Sequence, residues 1–148
     1  MVLETEYVFS TIEPALQGAG YALLEVQQDS GADLLRIIAH KHEGGISHQD
    51  CAAIVRLVEE AMLEEGVEIR EMYRLEITSA GIHRKLKNRH EMEVFTGYPV
   101  LAVYKQDEDK KTVQGRLAAV SENGVAIETE EEGMLELEHR VIKKIQLV

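Results

Sequence analysis

Residues 73–87 read Tyr-Arg-Leu-Glu-Ile-Thr-Ser-Ala-Gly-Ile-His-Arg-Lys-Leu-Lys. Tyr73, Leu75 and Ile77 alternate with Arg74, Glu76 and Thr78, the two-residue period of a strand with one buried face. Directly behind it, Ser79 to Lys87 concentrates positive charge. With Arg89, the residues Arg84, Lys85 and Lys87 form a basic island that has no acid between Ile82 and His90. The strand needs partners and a layer to cover its apolar side, and the flanking sequence supplies both.

Upstream, Val8, Ile12, Ala15, Leu16 and Ala19 recur at helical spacing, so a helix is predicted from about Thr5 to Gln17. Pro14 falls inside it and predicts a kink or the start of a last stretch. Tyr21 to Gln28 and Asp33 to His40 are apolar-rich runs separated by Asp29-Ser30-Gly31-Ala32, which predicts an antiparallel hairpin. Ser47-His48-Gln49-Asp50 carries a capping-box pattern and opens a second helix. Cys51, Ile54, Val55, Val58, Ala61 and Met62 form its apolar stripe, and Gly66 ends it. The order α, β, β, α, β fits two helices on one face of a three-stranded mixed sheet.

Downstream, a short helix is expected around Leu86 to Phe95, and the pattern changes at Thr96-Gly97. Val100 to Lys105, Thr112 to Val120, Val125 to Glu128, Leu135 to Glu138 and Ile142 to Val148 read as five short strands. Glu122-Asn123-Gly124 and the charged tip Asp107 to Lys111 mark turns, and Gly115 marks a bend within a strand. Five short curved strands predict a small barrel. The expectation is therefore an α+β chain with domains at 1–96 and 97–148.

Charge narrows the partners. The chain has 16 Lys/Arg against 27 Asp/Glu, a formal charge of −11, and most of the excess lies in residues 1–66. Such a body repels phosphate at long range, which argues against broad nonspecific nucleic-acid binding, while a local basic island still permits a few phosphate contacts. The glutamates at 59, 60, 64 and 65 suggest a solvated helix face or a surface for basic proteins. One Cys excludes an intrachain disulfide. The N-terminal residues lack the pattern of a targeting segment, and no apolar run reaches the roughly 18 residues of a membrane span. A cytoplasmic protein is expected.

Catalytic patterns are missing. Ser79-x-Gly81 is not a hydrolase elbow, and no Gly-rich phosphate loop precedes a helix with Lys-Ser/Thr. His40, His42, His48 and Cys51 have a spacing that could suggest zinc, but Cys51 lies on an apolar stripe, where Cys acts as a small hydrophobe. Gly44-Gly45-Ile46-Ser47 is not the Gly-x-x-Gly clamp of KH domains, although the α/β half shares that fold's outline. No enzyme activity, metal or cofactor is expected.

The chain resembles the bacterial ribosome maturation factor RimP family over essentially its whole length. The resemblance rests on Glu13-Pro14, Ala19-Gly20-Tyr21, Glu43-Gly44-Gly45-Ile46 and Asp50-Cys51. It rests most of all on Leu75-Glu76-Ile77-Thr78-Ser79-Ala80-Gly81-Ile82-His83-Arg84-Lys85-Leu86. Gly115 with Leu117, and Ile142 with Lys144 and Leu147, complete it. The resemblance implies a KH-like N-terminal domain and an Sm-like C-terminal barrel. It also implies a non-enzymatic factor that binds the immature 30S small ribosomal subunit and helps small-subunit protein twelve and 16S rRNA reach their mature arrangement. The ribosomal protein would bind the barrel, and the chain would act as a monomer. Ser79, Gly81, His83, Arg84, Lys85, Lys87 and Arg89 are the expected ribosome- and RNA-binding residues. Where the family has Pro, Asp and Pro, this chain has Ala80, His83 and Lys85, which frees the loop backbone and removes a carboxylate expected to pair with Arg84. The second reading is an Sm-like RNA-binding riboregulator assembled as a ring.

Overall fold

Val8, Ile12 and Leu16 lie one helical turn apart and are fully buried, which is why Thr5–Gly18 forms helix α1 against the core. A computed structural model describes residues 3–148, so Met1 and Val2, at the start of the stretch read for a targeting segment, lie outside it. α1 runs through Pro14. The N–H that Pro14 lacks would have served Ser10, and both residues are exposed, so solvent can take its place. Gly20, at φ +93°, turns the chain out of the helix.

Strands β1 (Ala22–Asp29) and β2 (Leu34–His40) pair antiparallel, as the hairpin reading predicts. The register shifts between Leu23 and Glu25, so Leu24 is a bulged residue. That extra residue lets Leu23 and Val26, three apart, enter the same core as Leu35, Ile37 and Ala39. Helix α2 (His48–Glu64) buries Ile54, Val58 and Met62 in this core. A four-residue helix α3 (Ile69–Met72), in a stretch for which the sequence suggested no element, buries Ile69 and leads into β3 (Arg74–Thr78). β3 pairs parallel with β2, giving a mixed sheet in the order β1-β2-β3.

The start of α2 carries more than its cap. Ser47 Oγ accepts from the Asp50 N–H at 3.1 Å while Asp50 Oδ2 accepts from the Ser47 N–H at 2.8 Å, closing the capping box. Asp50 Oδ1 also accepts from the Tyr21 hydroxyl at 2.6 Å and from Lys41 Nζ at 3.4 Å. Tyr21 and the Ser47 groups hold the Asp50 carboxyl well below the usual carboxylate range, and the same hydrogen bond raises Tyr21. A cap predicted as local thus also ties the entrance of β1 to α2.

The chain divides into two compact units between Ala80 and Gly81 rather than at the expected Thr96/Gly97 junction. The reason is packing within the second unit. Leu86, Met92 and the fully buried Phe95 belong to the interior that also holds Val100, Ala102, Leu117, Ile127 and Ile145. The Phe95 ring meets Tyr98 edge-on at 5.2 Å, and the Gly97 N–H donates to the Leu117 carbonyl at 2.7 Å. The short helix α4 (Arg89–Val94), capped by Asn88, is therefore part of the β unit.

That unit contains β4 (Pro99–Gln106), β5 (Asp109–Val120), β6 (Gly124–Thr129), β7 (Gly133–Glu138) and β8 (Ile142–Leu147). All neighbours are antiparallel, in the order β7-β6-β5-β4-β8. A 3₁₀ turn, His139–Val141, joins the last two strands, and the His139 N–H donates to the Asn123 carbonyl at 3.0 Å. Among the described residues no ladder joins β7 to β8, so strand pairing does not close the sheet as a barrel would. Position 115 of β5 admits only glycine without rearrangement, because a Cβ there would fall on the Glu128 carbonyl and within 2.9 Å of Ile127.

Candidate functional site

The basic island, Arg84 to Arg89, lies wholly in the second unit, and only the first residues of the loop belong to the first unit. Ser79 follows β3 in the first unit and is exposed; Gly81, at φ +80°, opens the second. From there Ile82 and His83 are exposed, with Ile82 the most exposed large apolar residue of the second unit at 77%. The chain then joins the sheet. Lys85 pairs antiparallel with Gln146 of β8, the Leu86 N–H donates to the Ile145 carbonyl at 2.8 Å, and the Leu147 N–H donates to the Arg84 carbonyl at 2.9 Å. Residues 84–86 thus lie along β8 as a short added strand.

Arg84 has a role the sequence reading did not assign. Its Nε donates to Glu91 Oε1 at 2.8 Å and its Nη2 to Oε2 at 3.0 Å, a two-point ion pair with side chains only 9% and 1% exposed. Glu91 also accepts from the Lys87 N–H at 3.4 Å, while its own N–H donates to Asn88 Oδ1 at 2.9 Å. The carboxylate thought lost with the family aspartate is supplied from α4. A guanidinium held this way is buried structure rather than a phosphate ligand, because breaking the pair would strand a buried charge. Arg89 pairs with Glu93 at 2.9 Å on the exposed face of α4, the four-residue pairing that ordinary helix electrostatics favours.

The cations presented outward are a different set. Lys85 and Lys87 are exposed, and the pairing of Lys85 with Gln146 brings Lys143 and Lys144 of β8 beside the island. Lys144 and Gln146 share a strand face about 7 Å apart. Sequence reasoning missed these two lysines because only the ladder between the loop and β8 makes them neighbours. Lys85, Lys87, Lys143 and Lys144 form a cationic sheet edge suited to charge-assisted contacts with phosphate oxygens.

No metal centre assembles around the histidines. His40 and His42 meet edge-on at 4.9 Å, burial with the neighbouring His42 lowers the His40 pKa, and no three His, Cys, Asp or Glu side chains converge among the described residues. The acidic face of α2 is partly engaged within its own unit, Glu59 with Arg70 at 2.9 Å and Glu65 accepting from the Tyr7 hydroxyl at 3.4 Å. Among the described residues no helix is long and apolar enough to cross a membrane.

Comparison with known families matches the RimP N-terminal domain over residues 11–83. The chain belongs to the RimP family. The match begins within α1, spans the β1-β2 hairpin, α2 and β3, and ends at His83, so it includes the junction between the units. RimP proteins are ribosome maturation factors, and a ribosome-related partner follows from membership. The cationic edge on β8 lies beyond the matched segment, in the second unit.

Proposed function

We propose that this RimP-family protein is a non-enzymatic assembly factor that binds the immature 30S subunit and helps small-subunit protein twelve and 16S rRNA reach their mature arrangement. The family match over residues 11–83 carries this reading. The strand order β1-β2-β3 under two helices supports a KH-like first unit, and the sheet order β7-β6-β5-β4-β8 with its bulges supports an Sm-like second unit. In this reading Lys85, Lys87, Lys143 and Lys144 touch rRNA phosphates, while the opposite part of the second unit engages the ribosomal protein. The net charge of −11 over the whole chain keeps the protein off RNA in general, so that binding is confined to one edge. The protein acts in the cytoplasm as a monomer. It raises the effective concentration of an rRNA region and a ribosomal protein, and departs when their mature contacts outcompete its own. No covalent chemistry is required.

Density-gradient fractionation of cell extract tests this directly. The protein is expected to travel with immature small subunits and not with complete ribosomes. Migration only at the top of the gradient, with normal subunit composition in a deletion strain, would remove the proposal.

A further inference from the structure

The second unit treats the two ends of its sheet differently. The outer side of β8 is occupied by residues 84–86. Among the described residues nothing pairs with the outer side of β7. An end strand turns N–H and C=O groups outward at alternate residues, a template for another strand. β7 pairs with β6 in unbroken register from Gly124 opposite Glu138 to Thr129 opposite Gly133, and it contains no proline. Its backbone carries none of the bulges or prolines by which end strands are commonly blocked.

Side chains decide what this edge accepts. Val125, Ile127 and Leu137 point into the unit and are buried. On the opposite face Ala126 stands across from Glu136 and Gly124 across from Glu138, and Ala119 of β5 lies across from Ala126. These small residues floor a trough of about 510 Å³, and the two exposed glutamates border it. The preceding turn adds Glu130, Glu131 and Glu132, and no Lys or Arg occurs from Glu128 to Glu138. Arg140 reaches back to Glu138.

A second copy is a poor occupant. Edge-to-edge pairing would set Glu136 and Glu138 against their own kind, and the copy's other edge is covered by its own residues 84–86. RNA phosphates are repelled as well. We infer that the outer edge of β7 docks an extended polypeptide segment that adds as a further strand, with Lys or Arg at alternate positions opposite Glu136 and Glu138. This deepens the function proposed above by giving the protein partner a surface, and rests on that reading only for the partner's identity.

The test uses the full chain and a synthetic peptide alternating Lys and Val, followed by fluorescence anisotropy and by amide exchange. Companion peptides alternate Glu and Val, or carry N-methyl groups at alternate residues of the Lys-Val peptide in either register. Binding of the Lys-Val peptide is expected to slow exchange in residues 133–138 and to be lost in one N-methylated register. The variant E136K/E138K, altered only at exposed positions, should bind it at least about tenfold more weakly and prefer the Glu-Val peptide. Gln17→Ala, at an exposed position of α1 in the first unit, should bind as the parent does. No binding by the parent chain, equal binding of both N-methylated registers, undiminished binding by E136K/E138K, or self-association through β7 would each overturn the inference. Peptide binding by a chain that fails to co-sediment with small subunits would uphold the edge and sink the ribosomal reading.

Discussion

Arg84 and Glu91 form the most buried ion pair among the described salt bridges, and pairs of this kind cost most when only one partner is removed. Arg84→Ala is expected to destabilise the second unit by about 3–5 kcal/mol, whereas R84M/E91L should recover most of that loss. A double-mutant cycle in urea checks it, and additive effects would contradict the coupling. Loss of ribosome association in an Arg84 variant would therefore report folding before it reported contact. Asp50 makes the matching argument for the first unit. Its folded pKa lies below the ordinary 3.8, so its contribution to stability is complete above that value and drains away as pH falls below it. Asp50→Asn should flatten the acid limb of a stability-against-pH curve, with little change in the slope above pH about 5. An unaltered acid limb would show that this carboxylate does not carry the dependence.

Among the elements, α2 and the β4-β5 hairpin differ in how well local sequence agrees with local structure. Ser47 caps α2 as its sequence demands, and Ser47→Ala should cost about 1 kcal/mol, measured by thermal or urea unfolding. The tip between β4 and β5 is a poorer match: Asp107 and Glu108 both have positive φ, 49° and 74°, a conformation that Asn and Gly accept and glutamate resists. Glu108→Gly is expected to stabilise by up to about 1 kcal/mol; a loss of stability would mean that its ion pair with Lys105, at 4.0 Å, outweighs the strain. The hairpins, the capped helix and the alternating strands were legible because their periods and turn residues are local. The Leu24 bulge and α3 were not, because both answer to the core that Leu23, Val26 and Ile69 must reach. Of the candidate site, the exposed Lys85 was legible as charge. The roles of Arg84, Lys143 and Lys144 depended on α4 and β8 meeting the loop.

For the whole molecule, most of the acidic excess lies in residues 1–66, whereas the proposed rRNA contacts lie in the second unit. Replacing Lys85, Lys143 and Lys144 together by Glu should abolish salt-sensitive association with immature small subunits while leaving thermal stability within about 0.5 kcal/mol. Unchanged co-sedimentation would remove the β8 edge from the interface. The unit boundary has its own test. A fragment starting at Gly81 should fold cooperatively, whereas one starting at Gly97 lacks Leu86, Met92 and Phe95 and should not. By itself the sequence determined the α+β order, the strands and caps, the overall acidity and the family resemblance, because each is written in short-range pattern or composition. Only the tertiary structure decided that the loop belongs to the β unit, that Arg84 is buried while Lys85 is offered outward, and that β8 is covered where β7 is bare. Those outcomes depend on which distant backbones pair and which charges lose water, and no local period encodes either.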